Sequence, residues 1–373
     1  MKLEIKQNIL LEHLNYVIKG ISTKNLRPIL GCIKFELTNE GLYLMSTDNE
    51  IAIKTFISIN QINKVESNGE IVVSGRYIYD IIRKLPDEII NIEEVMDSKI
   101  YITTKNSSFN LNCSNPNEFP DLELEYRKDP IILNQKVFKT IYNQTAFATS
   151  TGESRPVLTG INFKLEKDIM ECTATDSYRL AIKKIHLDSE VNENINIIIP
   201  TKNLSELVKL MNEDEENVEM HIFNNKVIFK FGVITMMTRL ISGTYPDTSK
   251  LIPTEFNLTM KVKLQDFFSA IDRASLLTNE SDKNTIKLES KENTVIISSN
   301  IPEIGNVEEK ITVEKPEDND IKIAFNSKFM MDSIKVIESD ELELLFNGEF
   351  KPIIIKNPES DDLIGLILPI RTY

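Results

Sequence analysis

Three stretches of this chain repeat one hydrophobic rhythm. In residues 71–85, IVVSGRYIYDIIRKL, a β-branched run passes through a short turn into apolar positions spaced i, i+3, i+4 and i+7. The first part alternates between two faces as a strand does, and the second lays one apolar stripe along a helix. Residues 197–211, IIIPTKNLSELVKLM, and 321–337, IKIAFNSKFMMDSIKVI, follow the same order. These helices are predicted to begin near 75, 201 and 326, with Thr201 and Ser327 available as caps. A second set of helical stripes covers 8–20, 134–148 and 264–278. Strands fill the intervals, punctuated by turn signals such as Asn39-Glu40-Gly41, Asn224-Asn225 and Asn347-Gly348.

A second landmark recurs at the same offset. Residues 27–35 read RPILGCIKF and residues 155–163 read RPVLTGINF. Each leads through a strand to Thr-Asp, Thr47-Asp48 in one case and Thr175-Asp176 in the other, with 20 residues from proline to aspartate both times. A weaker third copy has its strand start at Asn284–Leu288, with Ser299-Asn300 standing one residue early for Thr-Asp. Repeats at a fixed spacing of about 125 residues predict three copies of one α+β unit, each built as helix, strands, helix, strands. The predicted boundaries give domains 1–126, 127–253 and 254–373, near the matching connectors Phe119-Pro120-Asp121 and Tyr245-Pro246-Asp247.

Composition is that of a globular protein, with 41% apolar and 27% charged residues in 373. No apolar run is long enough to span a bilayer, and Met1–Lys6 alternates charged with apolar residues, so neither a membrane span nor an export signal is expected. Cys32, Cys113 and Cys172 are far apart and odd in number, which suits free thiols in a reducing cytoplasm. The net charge of −14 argues against phosphate binding until its distribution is considered. The six predicted helices hold eleven basic residues against six acidic ones, a surplus of five within that acidic chain. The basic set includes Arg76, Lys84, Lys136, Lys139, Lys202, Lys209 and Lys328.

Repeated units that stack with a constant rotation form a solenoid or a closed ring, and closure removes the exposed edges of β-rich units. Two chains would bring six units and twelve helices, and helices packed 8–10 Å apart make a circle of roughly 110 Å, about 35 Å across. Such a hole admits duplex DNA, and a basic lining would touch phosphates without reading sequence.

With these pieces assembled, the chain resembles the bacterial DNA polymerase III β subunits, the sliding clamps. The resemblance runs its whole length and is carried by RPILG at 27–31, by Ala174-Thr175-Asp176-Ser177-Tyr178-Arg179-Leu180-Ala181, by Tyr245-Pro246-Asp247 and by Leu368-Pro369-Ile370-Arg371. It implies three clamp domains, with two helices packed on antiparallel sheets in each, and a head-to-tail homodimeric ring around DNA. It implies a peptide pocket walled by Leu158, Thr175, Ser177, Tyr178, Arg179, Leu180, Pro246, Lys250, Leu251, Phe350, Pro352, Leu366, Leu368, Pro369, Ile370 and Arg371. There the replicative polymerase and other replication and repair proteins would dock a short apolar motif. Loop contacts to DNA are implied at Lys24, Arg27 and Arg155, and a ring seam where Phe109 and Leu111 of one copy meet Leu276 and Leu277 of another. Lys250 stands where some relatives carry Arg, and the chain ends Thr372-Tyr373 rather than in a single Leu.

No chemistry of catalysis accompanies these features. His13, His186 and His221 are scattered, and the sequence contains neither His-x-x-x-His nor Cys-x-x-Cys, so no metal or other cofactor is expected. No phosphate-binding glycine loop is present, so the chain is not expected to open itself with ATP, and the resemblance implies an ATP-driven loader as the partner that opens the ring. Asp176 and Arg179 also admit a hydrolase reading. The recurrence of Asp176 as Asp48, again after Thr, points instead to a turn.

Overall fold

The computed structural model describes every residue except 23–26, 96–97, 128, 213–215 and 372–373. Lys24 and Thr372-Tyr373 therefore lie outside the described residues. The six helices form close to their predicted places: α1 (Gln7–Val17), α2 (Gly75–Lys84), α3 (Gln135–Thr145), α4 (Thr201–Leu210), α5 (Leu264–Ser275) and α6 (Ser327–Lys335). The predicted extensions 18–20 and 146–148 tighten into 3₁₀ turns. The predicted caps are corrected. Asn326 caps α6 by accepting from the Phe329 amide at 3.0 Å, while the hydroxyls of Thr201 and Ser327 are buried with no hydrogen-bond partner among the described residues.

The chain divides into two compact units, 1–138 with 203–240 and 139–202 with 241–373. In the first, thirteen strands form one antiparallel sheet. Strand Ile234–Arg239, from the second repeat, pairs with Ile51–Ser58 of the first, setting Met236 opposite Ile53. Beneath this sheet α1 buries Leu10, His13, Leu14 and Val17, and α2 buries Ile78 and Ile82.

In the second unit an eight-stranded sheet does the same between the second and third repeats. Arg179–His186 pairs with Ser360–Ile367, so that Leu180 faces Leu366 and Ile182 faces Ile364. A separate four-stranded sheet shares with α5 and α6 a core that includes Phe267, Ile271, Phe325, Met330 and Ile334. In each unit, pairing across a repeat boundary gives an edge strand its missing partner and buries both of its faces.

Several strands are incompletely paired among the described residues, and two of them concern the expected seam. Ser108–Ser114 pairs with Lys99–Thr103 from Ser108 to Asn112, and with Gly69–Ser74 only at Cys113 and Ser114. Gly305–Thr312 ends the four-stranded sheet, bonded only to Thr294–Ile301.

The Thr-Asp landmark is a turn built twice from the same bonds. In the first copy the Thr47 hydroxyl donates to the Ile51 carbonyl, Asp48 accepts from the amides of Glu50 and Ile51, and Asn49 takes φ 77°. In the second the Thr175 hydroxyl donates to the Arg179 carbonyl, Asp176 accepts from the amides of Tyr178 and Arg179, and Ser177 takes φ 78°. Aspartate satisfies the turn amides that the left-handed residue leaves pointing inward. In the third repeat the strand runs on to Ile301 and this turn is absent. Ser299 there donates to the Ala274 carbonyl at the end of α5, as Ser46 does to the Val17 carbonyl at the end of α1. Ser299 therefore corresponds to Ser46, which accounts for a match that falls one residue early.

The three thiols are free, and burial pushes each up, Cys113 to about 11. Among the described residues no helix is long and apolar enough to cross a membrane. His13 is buried in α1, its Nδ1 2.8 Å from the hydroxyl of Thr55, and burial lowers its pKa from 6.5. A histidine with a depressed folded pKa binds protons more readily when unfolded, so stability falls as pH drops below 6.5. Urea unfolding between pH 7 and pH 5 is expected to show a smaller acid loss in His13→Asn than in the parent chain. Equal slopes would contradict this role.

Candidate functional site

The second Thr-Asp turn and the C-terminal segment form one side of the expected groove. Tyr178, at the tip of the turn, is 64% exposed, and its carbonyl accepts from the Leu368 amide at 2.9 Å. The buried Tyr245 hydroxyl accepts from the Thr175 amide at 3.0 Å, and burial pushes its phenol well up, keeping it neutral. The extended tail is held again where the Ile370 amide donates to the Ala324 carbonyl.

The predicted wall residues separate by depth. Leu180 and Leu366 are buried in a cluster with Ile182, Leu345 and Ile354, and Leu158 is buried against Ile198 and Tyr245. They support the surface from below. Tyr178, Leu251, Leu368 and Phe350 stand in solvent, Phe350 at 69%. Pro246, Lys250, Ser177 and Arg371 are exposed, while Pro352, Pro369 and Ile370 are half-buried. The Arg371 guanidinium lies 5.9 Å from the Phe350 ring. Ile370 and Arg371 also line an open polar cavity of about 860 Å³ with Asn279, Thr285 and Lys287.

Arg179 is committed to internal partners. Its side chain is only 11% exposed, with Nε donating to Asp176 Oδ2 at 3.0 Å and Nη1 to Asp332 Oδ2 at 2.6 Å. Its guanidinium sits 4.3 Å from the Phe329 ring. Asp332, counted in the sequence only among the helix acids, and Phe329, both on α6, were not expected at this turn. The one available signal was a single acid on an otherwise basic helix.

The basic helix residues also divide. Arg76, Lys84, Lys136 and Lys202 are exposed, Lys139 is half-buried, and none of the five has an ion-pair partner among the described residues. Lys209 pairs with Glu206, and Lys328 with Glu280 at 3.2 Å. Arg83 and Arg273, also counted in the helical surplus, pair with Asp80 and Glu309. Arg27 is exposed, and Arg155, also exposed, donates to the Ser177 hydroxyl at 3.4 Å. Exposed pairs of this kind are weak and yield readily to a polyanion.

Of the expected seam residues, Phe109 is exposed and Leu111 half-buried on the partly open strand Ser108–Ser114. Leu276, just beyond α5, is 79% exposed, with Leu277 half-buried beside it. Single exposed leucines are ordinary on a protein surface.

Comparison with known proteins covers the chain from end to end. Family models of the DNA polymerase III beta subunit match residues 1–123 as its N-terminal domain, 132–247 as its central domain and 249–371 as its C-terminal domain. The beta sliding clamp of Staphylococcus aureus is 41% identical, with 100% of each chain covered. The crystal structure of the DNA polymerase sliding clamp from Bacillus subtilis is similar at TM-score 0.97 and 37% identity, and that of the DNA polymerase III beta chain from Streptococcus pneumoniae at 0.94 and 33%, each over 100% of both chains.

The division of the expected wall residues into buried and exposed sets has a measurable consequence. Leu180→Ala is expected to cost about 2–5 kcal/mol in urea unfolding, as a large core truncation does, whereas Phe350→Ala should stay within about 0.5 kcal/mol. Comparable losses for the two would place Phe350 in the core and remove it from the rim.

Proposed function

This chain belongs to the DNA polymerase III beta subunit family, and from that premise we propose that two copies close head to tail into a ring around duplex DNA. The ring slides without sequence preference and tethers the replicative polymerase, performing no chemistry itself. The observation that carries this reading is that all three family domains lie in order along one chain. The proposed domains are 1–126, 127–253 and 254–373.

The charge distribution supports the DNA-facing role. A chain of net −14 keeps Arg76, Lys84, Lys136, Lys139 and Lys202 free of acidic partners among the described residues, on helices whose other faces are buried. Loose phosphate contacts hold DNA while letting it move, because displaced counterions, not base edges, supply the affinity. Lys209, Lys328, Arg27 and Arg155 join this set once phosphate competes with their present partners, and Lys24 completes the loop contacts.

The seam is proposed to pair the open edge at Ser108–Ser114 of one copy with that at Gly305–Thr312 of the other. Phe109 and Leu111 would pack against Leu276 and Leu277. Edge pairing across the seam satisfies two rows of amides and carbonyls at once.

The groove rimmed by Tyr178, Leu251, Phe350 and Leu368 is proposed to take short apolar segments of the polymerase and of other replication and repair proteins. An ATP-driven loader is the partner that opens the ring, in a cytoplasmic setting.

Light scattering after size exclusion is expected to give a dimer at micromolar concentration that loader retains on nicked circular DNA and that linearisation releases. A monomer, or retention that survives linearisation, would defeat the ring. Replacing Arg76, Lys136 or Lys202 by Ala should each lower the slope of log affinity against log salt by about 1. Removing residues 368–373 should abolish peptide capture while leaving the dimer intact.

A further inference from the structure

Asp332 is an acid on a helix otherwise basic, with Lys328 and Lys335 one turn to either side. On a surface turned to phosphates an acidic side chain opposes binding, so its presence calls for a separate reason. Its Oδ2 lies 2.6 Å from Arg179 Nη1, and the same guanidinium reaches Asp176 through Nε at 3.0 Å. Two ring faces hold that group as well, Phe329 at 4.3 Å and Phe147 at 5.5 Å. A planar guanidinium fixed by two carboxylates and two rings has little freedom left.

The first copy of the turn shows what this arrangement is not for. There Ile51 occupies the place of Arg179, and Thr47 and Asp48 close the turn with the same backbone bonds and no ion pair to Ile51. Neither Arg179 nor Asp332 is needed to form the turn. What distinguishes the second copy is its position at the rim of the groove. Asp176 accepts from the Tyr178 amide, and the Tyr178 carbonyl accepts from the Leu368 amide. A continuous chain of bonds thus runs from α6 through Arg179 and Asp176 to Tyr178 and Leu368.

We propose that Asp332 is a positioning residue for the peptide groove: it anchors Arg179 from α6 and thereby holds Tyr178 and Leu368 in register, without touching the peptide itself. The inference rests on the groove assigned above. It also gives the acid on α6 a use apart from phosphate binding.

The test compares the full-length dimer with Asp332→Asn and Asp332→Glu by two readouts. One is anisotropy of a fluorescein-labelled peptide from the clamp-docking segment of the replicative polymerase. The other is hydrogen exchange at the Leu368 amide, which needs no peptide. Loss of a charge-assisted hydrogen bond should weaken the peptide by about tenfold in Asp332→Asn and speed Leu368 exchange by a similar factor, with Asp332→Glu close to the parent in both. Parent-like affinity and Leu368 exchange in Asp332→Asn would overturn the proposal. So would faster exchange spread evenly over residues 139–202 and 241–371, which marks a merely structural role. If the parent dimer binds no peptide, the groove assignment falls by itself, and Leu368 exchange still decides whether Asp332 holds the tail.

Discussion

An antiparallel strand without a neighbour exposes a row of unpaired amides and carbonyls, and that constraint organises this chain. Two of the three sheets are shared between repeats. The last strand of the second repeat, Ile234–Arg239, extends the sheet of the first, and Arg179–His186 extends the sheet of the third. The compact units therefore cut across the repeats, each holding a sheet shared by two of them. Once these joints are made, Ser108–Ser114 and Gly305–Thr312 are among the strands left with incomplete pairing.

Electrostatics follows from the same economy of faces. Each helix spends its apolar stripe on a sheet, so its charged residues have only the opposite face to occupy. There the chain keeps lysines and arginines in the majority while carrying a net −14 overall. Net charge alone would have excluded a nucleic-acid partner. Its distribution reverses that conclusion, because phosphates respond to the local field within about a Debye length, not to the sum over the molecule.

Where a helix breaks this rule, the exception is informative. Asp332 turns its carboxylate to Arg179 and joins α6 to the Thr-Asp turn. The turn itself is a repeated structural device, formed identically at Thr47-Asp48, where no groove is assigned. The two copies show how a duplicated unit keeps one backbone solution and changes only what is attached to it: Glu50 and Ile51 in one, Tyr178 and Arg179 in the other.

The sequence by itself determined the elements, the repeat and the family. Helical stripes and strand alternation are local properties, and α1 to α6 lie within a few residues of where the 3.6-residue period put them. The aspartate turn was legible for the same reason, since its bonds close within four residues. Contacts between segments distant in the chain were decided by tertiary structure alone. Periodicity marks Leu180 and Leu366 as apolar but is silent on whether they face a groove or a core, and only the pairing of Arg179–His186 with Ser360–Ile367 buries both. Composition counts Arg273 among the free cations, whereas folding sets it against Glu309, 36 residues away. Arg179 and Asp332 are 153 residues apart, and no local pattern reports a bond made across that distance.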